Sequence, residues 1–186
     1  MDGSRWPLNC LWMAPDGRLV ALAGSGELDG RQEAVGALAS LAADKPDNQR
    51  RISTLLTQQL SNARLVEDRR AKAAWAVSKF AAAHKSNQDV LAQVGGVSLL
   101  VKLLEPVHYD SANSPQLKVG GGKQLASGPD LHSRTQMELC AAIWSVTTDH
   151  PKNRRAIADA GGIPLLIAML EDHSDIHFQA SAVHCL

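Results

Sequence analysis

The residues whose types and spacing favour chemistry are few in this sequence of 186 residues. His173 and His177 are four residues apart, which is the spacing of the zinc-binding histidines on a metalloprotease helix. The segment HSDIH lacks the glutamate that follows the first histidine in that motif, so we interpret the pair as polar turn residues. The run GGGKQ from Gly120 lacks the G-x-x-x-x-G-K-[ST] spacing of a phosphate-binding loop, which favours a flexible linker.

The cysteines and the remaining polar residues indicate no catalytic or metal site. Cys10, Cys140 and Cys185 are odd in number and widely spaced, without a C-x-x-C motif, so we predict neither a disulfide framework nor a zinc site. We therefore expect a reducing compartment, which is the cytoplasm, with the nucleus as a second location. Scattered serines and histidines form no nucleophile pattern, and we predict a non-enzymatic protein without a cofactor.

The composition narrows the fold class and the classes of partner. The formal net charge is +0, which indicates no general attraction to nucleic acid or to a membrane surface. No stretch is apolar enough to span a bilayer. Only 4% of the residues are aromatic and alanine is abundant, which favours closely packed helices over a sheet. We therefore predict an all-α protein.

A repeated pattern organises most of the chain, and one asparagine marks each copy. Asn48, Asn87 and Asn153 are 39 and 66 residues apart, and isoleucine or leucine follows each of them after four residues. A helix with apolar residues at i, i+4 and i+7 is predicted before each asparagine. The three apolar triplets that we expect to point inward are Ala34, Leu38 and Leu41; Ala73, Val77 and Phe80; and Leu139, Ile143 and Val146.

Glycine pairs mark the turn between the first and the second helix of a unit. Gly161 and Gly162 predict a sharp turn, with Pro164 in the first turn of the apolar helix that follows. The same pair occurs in AQVGGVSLLVKLL, whereas Leu56 and Thr57 take its place one unit earlier. We therefore expect the first two helices of that earlier unit to fuse or to bend without a clean break. A further amphipathic helix is predicted from Ile176 onward.

The longer of the two asparagine intervals contains an insertion at residues 106–134. This segment is rich in Gly, Ser and Pro and has no helical periodicity, so we predict a flexible loop that leaves the stack of helices intact. Residues 1–15 match no repeat and stay unassigned, and the repeat array is predicted at residues 16–186, with about three to four units. Because the chain ends before the next expected asparagine, the last unit is predicted to be truncated and the chain to be a fragment.

A period near 40 residues with three helices per unit resembles the armadillo repeat. The resemblance is carried by AQVGGVSLLVKLL and ADAGGIPLLIAML for the second helix, and by EAVGALASLAADKPDNQ, AKAAWAVSKFAAAHKSNQ and ELCAAIWSVTTDHPKNRR for the third helix and its exit. It covers residues 18–186. It implies an armadillo-type right-handed superhelix, an α-solenoid whose third helices line a concave groove for extended peptides.

The resemblance indicates which residues face a partner. The groove residues predicted from it are Trp75, Lys79, Lys72, Ser40 and Ser145. The pair formed by Trp75 and Lys79 is similar to the W-x-x-x-N motif of the importin-α group, with lysine in place of asparagine. The alternative for Trp75 is a packed core position, and Trp144 is predicted to be core.

The charge distribution bears on the kind of partner. Between Arg31 and Lys85 there are ten basic and five acidic residues, which favours an acidic extended segment, as in β-catenin-like members. The alternative is a solvated helix surface. We predict a protein–protein interaction scaffold that binds no nucleic acid. The alternative functions are an importin-α-like nuclear transport adaptor and the substrate-binding part of a larger ubiquitin ligase.

Overall fold

The computed structural model describes residues 15–62, 67–105, 131–171 and 183. Within these ranges the chain contains nine helices and no strand. The helices are α1 (Pro15–Ala23), α2 (Leu28–Ala42), α3 (Pro46–Ser61), α4 (Glu67–Ala83), α5 (Lys85–Gln93), α6 (Gly96–Leu104), α7 (Leu131–Thr147), α8 (Pro151–Asp159) and α9 (Gly162–Glu171).

The helices α2, α4 and α7 occupy the place of the predicted third helices, and with 15, 17 and 17 residues they are longer than α5, α6, α8 and α9. The helix α4 packs between α2 and α7, and its contact with α7 is the most extensive helix pairing in the described ranges. The shorter helices pack beside them in the same order in successive units. Each unit therefore buries its apolar face against its neighbours, which confirms the predicted all-α solenoid.

The repeated asparagines cap the C-terminal end of each third helix. The side-chain amide donates to the carbonyl oxygen seven residues earlier in every unit: Asn48 to Leu41 at 2.7 Å, Asn87 to Phe80 at 2.9 Å and Asn153 to Val146 at 2.8 Å. These carbonyl groups lie in the last turns of α2, α4 and α7, where the helix itself offers them no partner. The asparagine is thus needed at this register because it caps the preceding helix.

The two glycines of each pair meet two different requirements. Gly95 and Gly161 have φ angles of +83° and +82°, in the left-handed region where a side chain is strained. Gly96 and Gly162 lie close to the preceding helix, and the space is tighter at Gly162. A Cβ atom on Gly162 would be 2.6 Å from Cγ2 and 3.0 Å from the carbonyl oxygen of Ile157. The first glycine of each pair therefore permits the turn, and the second lets the next helix begin close to the preceding one.

Where the glycine pair is missing, the helix does not break. The helix α3 is continuous over 16 residues and passes through Leu56 and Thr57, whereas α5 and α6 are separate helices of 9 residues each. The fusion expected from the sequence is confirmed. Leu56 is fully buried in the middle of this continuous helix, so its side chain contributes to the core that a turn would interrupt.

The apolar triplets lie in the core with one exception. The inward residues of α4 and α7 are all buried, but Leu41 of α2 is 42% exposed, so its predicted inward position is wrong. The helix α1 has 9 residues and α2 has 15, and the two form a hairpin through the turn at residues 24–27. A hairpin with so short a partner leaves the last turns of α2, including Leu41, without cover from α1.

The predicted insertion, residues 106–134, ends a few residues earlier than expected. The helix α7 begins at Leu131, within the range 106–134, and its early residues Thr135 and Gln136 are already buried. The rest of the insertion lies outside the described residues, as do the His173–His177 pair, the GGGKQ run, Cys10, Cys185 and nearly all of the helix predicted from Ile176. In the described ranges, every helix is too short or too polar to cross a membrane.

Candidate functional site

Trp75 is the centre of a cluster on the surface shared by α2 and α4. The guanidinium carbon of Arg31, from α2, lies 4.5 Å from the centroid of the Trp75 ring. The ammonium nitrogen of Lys79, one turn after Trp75 on α4, lies 6.0 Å from the same centroid. A cavity of about 140 Å³ opens beside the ring and is lined by Gln32, Val35, Trp75 and Lys79. We call Arg31, Gln32, Val35, Trp75 and Lys79 the tryptophan cluster.

Small residues let the two helices that form the tryptophan cluster approach each other. Ala73, Ala74 and Ala76 of α4 are buried, and so are Ala34 and Val35 of α2. Side chains of this size allow backbones to pack closely, which leaves the indole of Trp75 at the rim of the interface, half-buried rather than enclosed. The ring therefore presents one face to Arg31 and remains part of an open cavity.

Arg31 is the most unusual charged residue of the cluster. Its side chain is 6% exposed, and its Nε atom is buried without a hydrogen-bond partner. A guanidinium stacked on an indole gains about 0.5 to 2 kcal/mol from the ring quadrupole, and the larger value applies when water is excluded. This stacking offsets part of the cost of desolvating the charge, but it does not neutralise it.

Asp68, at the start of α4, forms ion pairs with two neighbouring cations. Its carboxylate lies 2.9 Å from the ammonium of Lys72, at the favourable i, i+4 spacing, and 4.0 Å from the guanidinium of Arg134 on α7. The hydrogen bond from Lys72 lowers the pKa of Asp68 below its usual value, despite an opposing effect of burial. Lys72 and Arg134 are therefore partly neutralised by Asp68.

Glu138 of α7 is the other carboxylate near this surface. Burial raises its pKa above the usual value for glutamate, and the positive charges of Arg134, Arg31 and Lys79 act in the opposite direction. These three cations lie on α7, α2 and α4. Among the residues that the structure describes, none forms an ion pair with Glu138.

The structure brings together only part of the residue set predicted to line a groove. Trp75 and Lys79 share the tryptophan cluster, and Lys72 lies on the same helix in its ion pair with Asp68. Ser40 is exposed on α2, and its hydroxyl donates to the Gly36 carbonyl at 3.0 Å. Trp75 is half-buried and packs against the hydrophobic core, and the open cavity lies beside it, so its position has features of both the groove prediction and the packed-core alternative.

Ser145 and Trp144 lie differently from the sequence-based expectation. Ser145 is 6% exposed, and its hydroxyl oxygen lies 2.9 Å from that of Ser78, so it lies between α4 and α7 instead of on an open surface. Trp144, predicted to be core, is 49% exposed, so that prediction is wrong. One residue is a rotation of about 100° around a helix. Because Ser145 faces α4, Trp144 is turned away from this packed face.

Several polar residues away from the tryptophan cluster have structural roles. Gln88 donates to the carbonyl oxygens of Ser145 at 2.7 Å and Thr148 at 3.4 Å, which joins α5 to the end of α7. The ring of His150 accepts from the backbone N–H of Asn153 through Nδ1, so Nε2 carries the proton and donates to Asp89 at 2.8 Å. These contacts connect successive units.

Arg31, Gln32, Val35 and Glu138 are the site residues that the sequence did not reveal. Arg31 and Val35 are at i, i+4 on α2, as Trp75 and Lys79 are on α4, so the spacing alone indicates one shared face on each helix. Which faces meet depends on the rotation of one helix relative to the next. A single sequence does not contain information about that rotation. No group of three or more His, Cys, Asp or Glu residues that could hold a metal ion occurs in the described ranges.

Comparisons with known proteins agree with this fold. Residues 150–186 match the family model for the armadillo/beta-catenin-like repeat. No curated protein matches the chain. Among solved structures, an engineered protein is similar with a TM-score of 0.59 and 23% identity, over 93% of this chain and 61% of the other. A designed armadillo repeat protein is similar with a TM-score of 0.56 and 20% identity, over 90% of this chain and 61% of the other.

A second engineered protein is similar with a TM-score of 0.57 and 20% identity, over 93% of this chain and 62% of the other. The chain thus spans less than two thirds of the length of each of these structures. At these identities the likeness shows the fold alone. Together, the repeat match at residues 150–186 and the fold of the described helices confirm the resemblance seen in the sequence.

Proposed function

We propose that this chain is a non-enzymatic scaffold whose third helices bind an extended segment of another protein. The observation that carries the proposal is the tryptophan cluster, in which a half-buried indole, an exposed ammonium and an open cavity occur together at the junction of two third helices. Partly exposed aromatic side chains with an adjacent polar group are typical anchors for protein partners. A row of parallel helices offers such anchors at regular intervals to an extended chain.

The details of the cluster weigh against an importin-α-like adaptor for basic signals. Lys79 replaces the asparagine of the importin motif, and Arg31 already covers one face of the indole. Both cations repel a lysine or arginine side chain of a ligand. The ubiquitin-ligase alternative differs only in the domain to which the array is attached, so the same binding experiment applies to it.

The organisation of the chain fits this proposal. We propose that the array extends over residues 16–186, because α1 begins at Pro15 and the repeat match ends at residue 186. The unassigned segment 1–15 and the insertion that begins at residue 106 are then accessory to the array. The odd number of widely spaced cysteines supports a location in the cytoplasm or the nucleus.

Selection of peptides from a random library on the immobilised chain tests the scaffold function. We expect selected peptides to bind the wild type and to lose about tenfold or more in affinity on Trp75→Ala, because the indole anchors the segment. Lys102→Ala removes an exposed cation of α6, far from the tryptophan cluster, and serves as the matched control. If every selected peptide binds Trp75→Ala and wild type equally, the site assignment fails. If no peptide is selected, the scaffold function itself fails.

A further inference from the structure

The helices α6 and α9 occupy the same register in successive units but differ in how their β-branched residues are covered. Val97 and Val101 of α6 are each 2% exposed. Ile163 and Ile167 of α9 are 44% and 45% exposed. They follow the two valines after 66 residues, the interval that also separates the repeat asparagines of these units, so the positions correspond one to one. A face that one unit buries is therefore open in the next.

The face of α6 is covered by the unit that follows it. The helix α6 packs against both α8 and α9. A Cβ atom on Gly162, the first residue of α9, would lie 3.4 Å from Cγ2 of Val101. Within the described ranges, α9 itself packs mainly against α8 and α6, the helices that come before it. Where α6 has a following unit against it, α9 has no described helix.

The solvent-facing residues of α9 are also less polar than those of α6. Ser98 and Lys102 are exposed on α6, and Pro164 and Ala168 are exposed at the corresponding positions of α9. With the two isoleucines they form one uncharged surface at i, i+1, i+4 and i+5 of a helix. Contiguous exposed surfaces of this kind mark interaction sites on proteins. We call Ile163, Pro164, Ile167 and Ala168 the α9 face.

The first described unit exposes apolar residues as well. Leu41 of α2 is 42% exposed, whereas Phe80 and Val146, at the same register of α4 and α7, are fully buried. Leu22 of α1 is also 42% exposed, and a Cβ atom on Gly26 would lie 2.7 Å from its Cδ1 atom, so the side chain lies against the glycine backbone of the turn. The first unit therefore leaves open a position that the inner units bury. We call Leu22, Gly26 and Leu41 the α1–α2 end.

We propose that the α9 face binds the α1–α2 end of a second copy of this chain. A second copy fits because the contact repeats an interface that the chain already contains, in which the face of one unit is covered by the unit after it. The two surfaces differ and lie in different units, so the copies associate head to tail and form a growing row instead of a closed pair. This association is independent of peptide binding by the third helices.

Sedimentation velocity at increasing protein concentration tests this association. The α9-face variant combines Ile163→Glu and Ile167→Glu, and the α1–α2 variant combines Leu22→Glu and Leu41→Glu. The matched control Lys102→Glu places the same side chain at an exposed position of the inner helix α6. We expect wild type and control to form species larger than a dimer. Each double variant should lose about tenfold or more in association constant, because a carboxylate is unfavourable in an apolar contact.

An equimolar mixture of the two double variants is the sharper measurement. Each variant keeps the surface that the other lacks, so the mixture should form a dimer with one copy of each and should not grow further. All four substituted positions are exposed, and circular dichroism checks that the variants keep their helices. If a double variant unfolds, the single variants Ile167→Glu and Leu22→Glu take its place.

Three results would overturn the proposal. Wild type that stays monomeric at every concentration shows that no second copy binds the α9 face and leaves this face to a different protein. Dimers of the α1–α2 variant alone, together with a monomeric α9-face variant, show that two α9 faces pair with each other. Self-association that both double variants retain at wild-type strength assigns it to other surfaces of the chain.

Discussion

The repeated asparagine shows at the residue scale why a position recurs in every unit. In each case the side-chain amide reaches back seven residues to a carbonyl group that the helix leaves unpaired. Asn153 also donates to the carbonyl oxygen of Gln88 at 3.2 Å, so this residue joins its own unit to the one before it. Asn87 and Asn153 are buried, whereas Asn48 is only half-buried.

Replacement of these asparagines by alanine therefore destabilises the chain by graded amounts. We expect Asn153→Ala and Asn87→Ala to lower the free energy of unfolding by about 1 to 3 kcal/mol each, because a buried carbonyl group loses its partner. Asn48→Ala should cost less, about 0.5 to 1.5 kcal/mol, because water can replace the amide. Urea denaturation followed by circular dichroism measures the three values. Equal losses at Asn48 and Asn153 would contradict the capping role.

The sequence was informative about residues that act within one unit and uninformative about residues that meet across units. Trp75 and Lys79 could be paired from their i, i+4 spacing on one helix. The contact of Arg31 with Trp75 depends on how α2 and α4 are rotated against each other, which their separate patterns leave undetermined. Trp144 is predicted to be core from its place one residue before Ser145, yet Ser145 packs on α4 and Trp144 is exposed.

At the scale of the element, the glycine pair decides whether a unit has two helices or one before its third helix. Gly95 and Gly161, which have positive φ angles, lie in the turns before α6 and α9, and these helices begin at Gly96 and Gly162. Leu56 and Thr57 occupy the same register in α3, which continues without a turn. This difference could be predicted from the sequence because backbone conformation at a turn is a local property. The start of α7 could not, because buried contacts with neighbouring helices fix it.

Substitutions at Gly161 and Gly162 separate the two requirements of the pair. We expect Gly161→Ala to cost about 1 to 2 kcal/mol, because no atom obstructs its Cβ and only the left-handed backbone is strained. Asparagine tolerates this conformation, so Gly161→Asn should recover part of the loss. Gly162→Ala brings its Cβ against the Ile157 carbonyl oxygen, which is backbone and cannot move aside, so Gly162→Asn should recover nothing.

Thermal unfolding of these four variants, monitored by circular dichroism, measures the pattern. Recovery by asparagine at position 162 but not at position 161 would show that the two glycines have been assigned the wrong roles. A loss at neither position would show that the turn tolerates side chains, and the geometric account of the pair would be incorrect.

At the scale of the whole molecule, stability depends on contacts between adjacent units. Gln49 donates to the hydroxyl of Ser86 at 2.9 Å, and Gln88, at the same register one unit later, donates to the carbonyl oxygens of Ser145 and Thr148. Each glutamine directly follows a repeat asparagine. In a solenoid, such nearest-neighbour contacts determine whether the units unfold together or separately.

Removal of the Gln88 side chain should therefore loosen the coupling between units. We expect Gln88→Ala to lower stability by about 1 to 3 kcal/mol and to make unfolding less cooperative, because carbonyl groups at the end of α7 lose their partner. Hydrogen exchange at increasing urea should show α7 and α8 losing protection before α3 and α4. The matched control is Gln58→Ala, which changes an exposed glutamine of α3. Simultaneous loss of protection in all helices of the variant would count against this coupling.

The unbroken α3 has a mechanical consequence for the array. A continuous helix of 16 residues resists bending, whereas turns at Gly95 and Gly161 separate α5 from α6 and α8 from α9. When the two ends of the solenoid are pulled apart, elastic deformation should concentrate at these joints, and the part containing α3 should stay stiff. The compliance of the molecule is then asymmetric, because under the same force the units with a glycine turn extend more than the part that contains α3.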